Sequence, residues 1–257
     1  MMRWSPDQRA TLDSIVDEFV RQYPRGRRLL AVDGIDGAGT TPFADLLAGR
    51  FDRKGQAVAR ASIDGFHHSR EERDARGRDS AEGHYHDSYD YDIFHRYLIE
   101  PFKLIGSAGF VTAVFDYLAD APLELRWETT QPDSILIVDG VFLNRPELRE
   151  LWNYSIWLDV PSDVAEARVL ERDGIASQER NRGGQALYLA DADPRAAATA
   201  IIDNTDVASP KRMVADAGQP ASTAPASTAS ASTAPAPHST RPHRSVSRPA
   251  KPPSAVS

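Results

Sequence analysis

The sequence predicts an α/β fold, a mostly parallel sheet with helices on both faces, and three observations carry that prediction. "SILIVDGVF" (134–142) and "YSIWLDV" (154–160) are continuous apolar runs, as expected of strands buried on both faces. A third strand, 29–32, runs into glycines at 34, 37 and 39 and then into a helical pattern. Strand-like and helix-like segments alternate through the first 210 residues, the order that builds a covered parallel sheet.

Each element has its own local signal. Ser5, Pro6 and Gln8 supply an N-cap, a first-turn proline and the partner residue of a capping box. Leu12, Ile15, Val16, Phe19 and Val20 then recur at helical spacing. After the 29–32 strand and its glycine turn, a helix is expected over 42–50. A second strand is expected over 57–63, ending in Asp64. Residues 94–104 read as helix and 111–115 as strand. Beyond 154–160, residues 163–172 read as helix, and "AIIDNTD" (200–206) as a last short strand with its exit turn.

Composition bounds the rest. The chain of 257 residues is 41% hydrophobic and 26% charged, ordinary for a soluble globular protein, and it lacks cysteine, so disulfides and thiolate metal sites are excluded. No apolar run reaches the length of a membrane span, and the N-terminus lacks a signal-peptide core; the expectation is a cytoplasmic protein without membrane contact. Of 30 basic and 37 acidic residues, six basic and one acidic lie from Lys211 onward, which leaves the body at −12. An acidic body argues against DNA or RNA as a partner. From 211 the chain becomes rich in Ala, Ser, Thr and Pro ("ASTAPASTASASTAP"), too poor in large apolar residues to offset ordering entropy. The expected organisation is one domain, 1–210, and a disordered basic tail, 211–257. Oligomeric state is left open.

The glycine turn carries the chemistry. Gly34–Thr41, "GIDGAGTT", fits the phosphate-loop pattern G-x-x-x-x-G-K-[ST] at every defined position except that Thr40 stands where lysine belongs. Such glycines let backbone N–H groups wrap phosphates while the following helix presents its positive end. Gly34, Asp36, Gly37, Ala38, Gly39, Thr40 and Thr41 are the candidate nucleotide-binding residues. Thr41 supplies the hydroxyl that holds magnesium in such loops. Read alone, the loop also fits a ligand-free strand-to-helix turn. Asp139 ends the 135–138 strand, where a second acidic group orients magnesium or its water, or forms a turn. Asp64 ends another strand; a carboxylate there could take a proton from an attacking hydroxyl, or again form a turn. Parallel strands gather their C-terminal ends at one edge, so all three could face one crevice.

Four blocks, "VDGIDGAGTTPFADLLA", "SIDGFHHSREERDARGRDSAEGHYHDSYDYDIF", "ILIVDGVFLNRPELRELW" and "LYLADADPRAAATAIIDNTD", resemble bacterial uridine kinase-like proteins. These belong to the uridine kinase and phosphoribulokinase branch of P-loop kinases. The resemblance covers about residues 8–209 in matching order. It implies the three-layer P-loop NTPase fold and phosphoryl transfer from ATP, or another NTP, with Mg2+, to a ribonucleoside 5′-hydroxyl. It implies Asp64 as base or hydroxyl-orienting carboxylate, and Thr41 and Asp139 at the metal. His67, His84, Tyr85, Asp87 and Tyr89 would meet the nucleoside, since rings stack on a base and carboxylates bind ribose hydroxyls. Asp203 and Asn204 of "DNTD" would lie near the donor base. A different reading of "FHH" and "HYH" places His84 and His86 on one face of a strand as metal ligands.

The sequence departs from this family in three places. Thr40 removes the cation that sits on the β- and γ-phosphates; by analogy with losing one preorganised donor, the rate falls roughly 10²–10³-fold, or about 3–4 kcal/mol. Pro42 directly after Thr41 disfavours helix at Thr41 and is expected to redirect its hydroxyl. The arginine-bearing lid segment after 163 is short: Arg168, Arg172, Arg180 and Arg182 fall in it, with Arg172 and Arg180 as the candidates for phosphate. Three readings follow: an impaired nucleoside kinase, a nucleotide-binding protein that has lost catalysis, and an enzyme in which Arg28, Lys54 or a lid arginine replaces the missing charge.

Overall fold

Seven residues of strand β1, Arg28–Gly34, are all buried, and they form the middle of a six-stranded sheet. A computed structural model describes residues 5–104, 109–174 and 178–213. The other strands of the main sheet are β2 (Ala57–Ser62), β3 (Ser134–Gly140), β4 (Tyr154–Asp159), β5 (Ala200–Asp203) and β6 (Lys211–Met213). Their order is β6-β5-β4-β1-β3-β2, parallel except for the antiparallel β5–β6 pair. Phe110–Val111 pairs with Trp127–Glu128 and Phe115–Asp116 with Ala121–Pro122, so the single strand expected over 111–115 is two short ladders.

Period-two alternation divides β1 between two cores. Leu30 and Val32 face helix α1 (Pro6–Gln22) and helix α2 (Thr40–Arg53), meeting Phe19, Phe43, Leu47 and Phe51. Leu29 and Ala31 face the opposite side, with Phe94, Leu98 and Phe102 of the helical stretch 91–103. The Ser5–Gln8 capping box forms as the sequence predicts. Helix α3 (Ala81–Asp87) packs against α5 (Glu179–Ala192), and α4 (Ser162–Asp173) follows β4.

Two further expectations change. Residues 211–213, assigned by composition to the tail, form edge strand β6; Arg212 holds it to α1 through Glu18 at 2.5 Å. The tail expectation for 214–257 lies outside the described residues. Residues 81–87 are helix rather than strand, which puts His84 and His86 on different faces and removes the shared-face argument for a histidine metal site. Among the described residues, no helix is long and apolar enough to cross a membrane.

Candidate functional site

The carboxyl ends of β1, β2 and β3 open onto a cleft of about 770 Å³. Its floor is the glycine loop. Gly37 and Gly39 sit at φ 84° and 87°, a left-handed geometry that favours glycine, and a Cβ on Gly37 would lie 2.2 Å from the Ala165 carbonyl oxygen. The loop is tied from behind: the Asn204 side-chain amide donates to the Ala38 carbonyl (2.8 Å) and Gln185 accepts from the Asp36 N–H (3.1 Å). Helix α2 begins at Thr40, so its unpaired first-turn N–H groups and positive end point at the loop.

Thr41 is helical, and Pro42 occupies a first-turn position where no N–H is required. The Thr41 hydroxyl donates to Asp139 Oδ2 at 2.5 Å, so Pro42 does not turn it away from the acidic partner. Asp139 is 1% exposed, and its other oxygen accepts from Arg60 Nη2 at 2.7 Å. Among the described residues, no group of three or more acidic or histidine side chains is gathered as a metal site. Thr41 and Asp139 fit the sparser set with which magnesium is held beside phosphate, one hydroxyl and one carboxylate, the remaining positions going to water and phosphate oxygens.

Asp64 follows β2 in a single 3₁₀ turn, Ile63–Phe66. Burial pushes its carboxyl up to about 6, and the Asp139 and Asp36 carboxylates push the same way. The Tyr89 hydroxyl, donating to Oδ1 at 3.1 Å, pulls it down, as does Arg172. His67 Nδ1 lies 2.9 Å from the Asp64 carbonyl, which can only accept, so the ring proton is on Nδ1. Burial lowers His67 to about 4, leaving it neutral at pH 7. Its ring stacks on Tyr117 at 4.9 Å and leans on Tyr89 at 4.4 Å. His84, also lowered to about 4 by burial, packs edge-on against Phe142. Phe142 has φ 65°, unusual for a bulky residue, and follows Gly140, whose φ of 146° and closeness to Ile63 exclude a side chain there.

Asp36, Gly37, Gly39, Thr40, Thr41, Asp64, His67, His84, Tyr89 and Arg172 line this cleft, with Arg168. Gly34 and Ala38 form the base of the loop and Asp139 lies buried behind it. Three other candidates stand elsewhere. Tyr85 is buried with its hydroxyl on Asp191 (2.7 Å), Asp87 pairs with Arg76 (2.6 Å), and Arg180 pairs with Asp74 (2.6 Å) and the Arg73 carbonyl. Asp203 accepts from the Thr205 N–H (2.9 Å), a turn contact, and Asn204 acts on the loop backbone rather than in the open space.

The candidate replacement cations resolve by position. Arg28 starts β1, bonded to the Tyr23 and Gly26 carbonyls, and Lys54 follows α2, paired with Asp13 and Asp17. A seven-residue strand and a 14-residue helix each put about 20 Å between those groups and the loop. Arg168 is spent on the Gly37, Asn204 and Thr205 carbonyls. Arg172 bridges Asp36 (3.1 Å) and Asp173 (2.7 Å).

Sequence reasoning missed Arg60, Tyr117, and a buried network behind the loop. Asp33, fully buried and pushed up to about 6 by that burial, accepts from the Asn144 N–H (2.9 Å), the Asn144 amide (2.8 Å) and the Tyr188 hydroxyl. The only signal was a carboxylate inside the apolar run "LLAVDG", which implies paid-for partners that a single sequence does not name.

No family model and no curated protein sequence matches the chain. Solved structures do match. A protein described as a possible uridine kinase from Bacillus stearothermophilus aligns with a TM-score of 0.61 at 20% identity, covering 75% of this chain and 97% of its own. A kinase ascribed to a fructose transport system of Silicibacter sp. TM1040 aligns at 0.56 and 24% identity, covering 73% and 94%. The three-layer arrangement, the strand order around the loop and these alignments agree: the protein has the α/β fold of the P-loop kinases.

Proposed function

We propose that this chain is a uridine kinase-like phosphotransferase that moves the γ-phosphoryl group of ATP, or another NTP, to a ribonucleoside 5′-hydroxyl, at a rate lowered by Thr40. The observation that carries the reading is Asp64. It is a carboxylate poised near 6 in the same cleft as a glycine loop, a helix N-terminus and the Thr41–Asp139 pair.

In this reading the loop and the first turn of α2 hold the donor phosphates through backbone N–H groups. Magnesium, held at Thr41 and Asp139, would neutralise charge on the phosphates. Asp64, ionised at pH 7, orients the acceptor hydroxyl and takes its proton as the O–P bond forms and the bond to the leaving diphosphate breaks. Tyr89 fixes the carboxylate that does this. The stacked His67–Tyr117 pair, neutral and aromatic beside Asp64, suits the flat base of a nucleoside. Arg172 would leave Asp36 for phosphate. The uridine kinase-like neighbour supports the acceptor class.

A second reading, a nucleotide-binding protein without turnover, is favoured by one observation: Thr40 is short and uncharged, and both cleft arginines already have partners. Purified protein incubated with Mg-ATP and each ribonucleoside separates the two. Formation of a nucleoside monophosphate supports the kinase. Retained nucleotide binding with no product above background supports the second reading.

A further inference from the structure

Arg60 is a charged side chain in the middle of edge strand β2, on the face where Val58 packs against the α1–α2 core. Its donors are fully directed. Nη2 reaches Asp139 Oδ1 at 2.7 Å and Asp45 Oδ1 at 3.0 Å, Nε reaches Asp45 at 3.2 Å, and Nη1 donates to the Ile137 carbonyl at 3.0 Å. Asp45 is largely exposed, whereas Asp139 is buried. A buried carboxylate demands a counter-charge, and here the protein supplies one of its own. The Thr41 hydroxyl holds the second oxygen. Both oxygens of Asp139 are therefore accepting, and a guanidinium shared with the exposed Asp45 already stands beside it before any ligand arrives.

We propose that Arg60 is a positioning residue that sets the divalent-metal affinity at Asp139, occupying one carboxylate oxygen with a fixed cation so that the metal binds weakly without nucleotide. A divalent ion drawing on Asp139, directly or through its water, meets a guanidinium that is anchored to the sheet and cannot withdraw freely. Its binding then depends on the additional negative charge of a bound polyphosphate. Removing Arg60 leaves a buried, under-neutralised carboxylate and makes the same position attractive to a cation. The inference rests on the metal role proposed for Thr41 and Asp139, but concerns the nucleotide-free protein.

The test is a titration of the full, nucleotide-free chain with Mn2+, free ion being read by its electron paramagnetic resonance signal. Arg60→Gln is expected to bind Mn2+ at least tenfold more tightly than the natural protein, and Arg60→Gln with Asp139→Asn is expected to lose that gain. Equal affinity in the natural protein and Arg60→Gln overturns the proposal, as does a gain that survives Asp139→Asn. Circular dichroism checks folding. Should Arg60→Gln not fold, Arg60→Lys keeps the charge and is expected to bind as weakly as the natural protein; tenfold tighter binding by it refutes the role. No nucleotide is present, so absence of phosphoryl transfer in the separate turnover assay bears on the kinase reading and leaves this outcome unaffected.

Discussion

Replacing Thr40 by lysine restores the charge that the loop lacks, and the cleft sets the size of the effect. Three carboxylates, Asp36, Asp64 and Asp173, line it against two guanidinium groups, Arg168 and Arg172. Arg168 is held by three carbonyls and Arg172 by two carboxylates, so before a ligand binds neither occupies the lysine's place; Arg172 reaches phosphate only by giving up Asp36. Thr40 occupies the first residue of α2 and lines the cleft, so a longer side chain has open space to enter. One unit charge about 4 Å from a phosphate oxygen, at an effective dielectric constant near 20, is worth about 4 kcal/mol. That agrees with the cost of removing one preorganised donor, about 3–4 kcal/mol or 10²–10³-fold. A newly introduced lysine lacks neighbours selected to orient it, so the expected gain in Thr40→Lys is at least tenfold, up to that ceiling. The assay is the initial rate of ADP formation with Mg-ATP and saturating uridine, beside nucleotide affinity by fluorescent-ATP displacement. Equal rates in the two proteins would refute the reasoning, because another cation would already be doing the lysine's work.

Three further outcomes follow from the same geometry. Asp64 must be ionised to accept a proton and its carboxyl sits near 6, so the transfer rate should rise as pH increases through about 6 and level above it; Tyr89→Phe removes a bond that lowers this value and should move the midpoint upward in a pH–rate profile. Asp33 has a folded value near 6 against 3.8, so it contributes stability present below the unfolded value and lost as pH rises through 6. Urea unfolding should show that decline, on the order of 3 kcal/mol, reduced in Asp33→Asn, with Asp64 contributing in the same window. Arg168→Ala should uncap the Gly37, Asn204 and Thr205 carbonyls, lowering thermal stability by about 1–3 kcal/mol and weakening ATP binding in calorimetry; unchanged values would remove Arg168 from the loop's support.

The sheet was legible because buried parallel strands carry uninterrupted apolar runs. Residues 134–140 and 154–159 were placed within about two residues by that property. The loop was legible because glycine at positive φ leaves a sequence mark, and Gly37 and Gly39 hold that geometry. "HYHDSYDYD" was harder to place. Its aromatic and charged residues look alike in sequence, but α3 turns Tyr85 into the core and Asp87 to Arg76, while Tyr89, beyond the helix, reaches Asp64. Arg180, a phosphate candidate, pairs with Asp74 and the Arg73 carbonyl, while Arg168 braces the loop, for a similar reason: spacing along a helix does not say which neighbouring carbonyl or carboxylate the guanidinium will find. Arg60 left no signal, since a long side chain from an edge strand can lie over the sheet edge to a partner 79 residues away. Residues 211–213 were misassigned by composition, because pairing with β5 orders them as β6.

In the proposed reaction Asp64 acts at a phosphate held by the loop. The most direct measurement is single-turnover transfer of the γ-phosphoryl group of radiolabelled ATP to uridine, in the natural protein and in Asp64→Asn, with ATP affinity recorded for both. The expected result is uridine monophosphate from the natural protein, at least a hundredfold slower transfer in Asp64→Asn, and ATP affinities that match. Equal transfer in both proteins, or bound ATP that never reaches a nucleoside in the natural one, would contradict it.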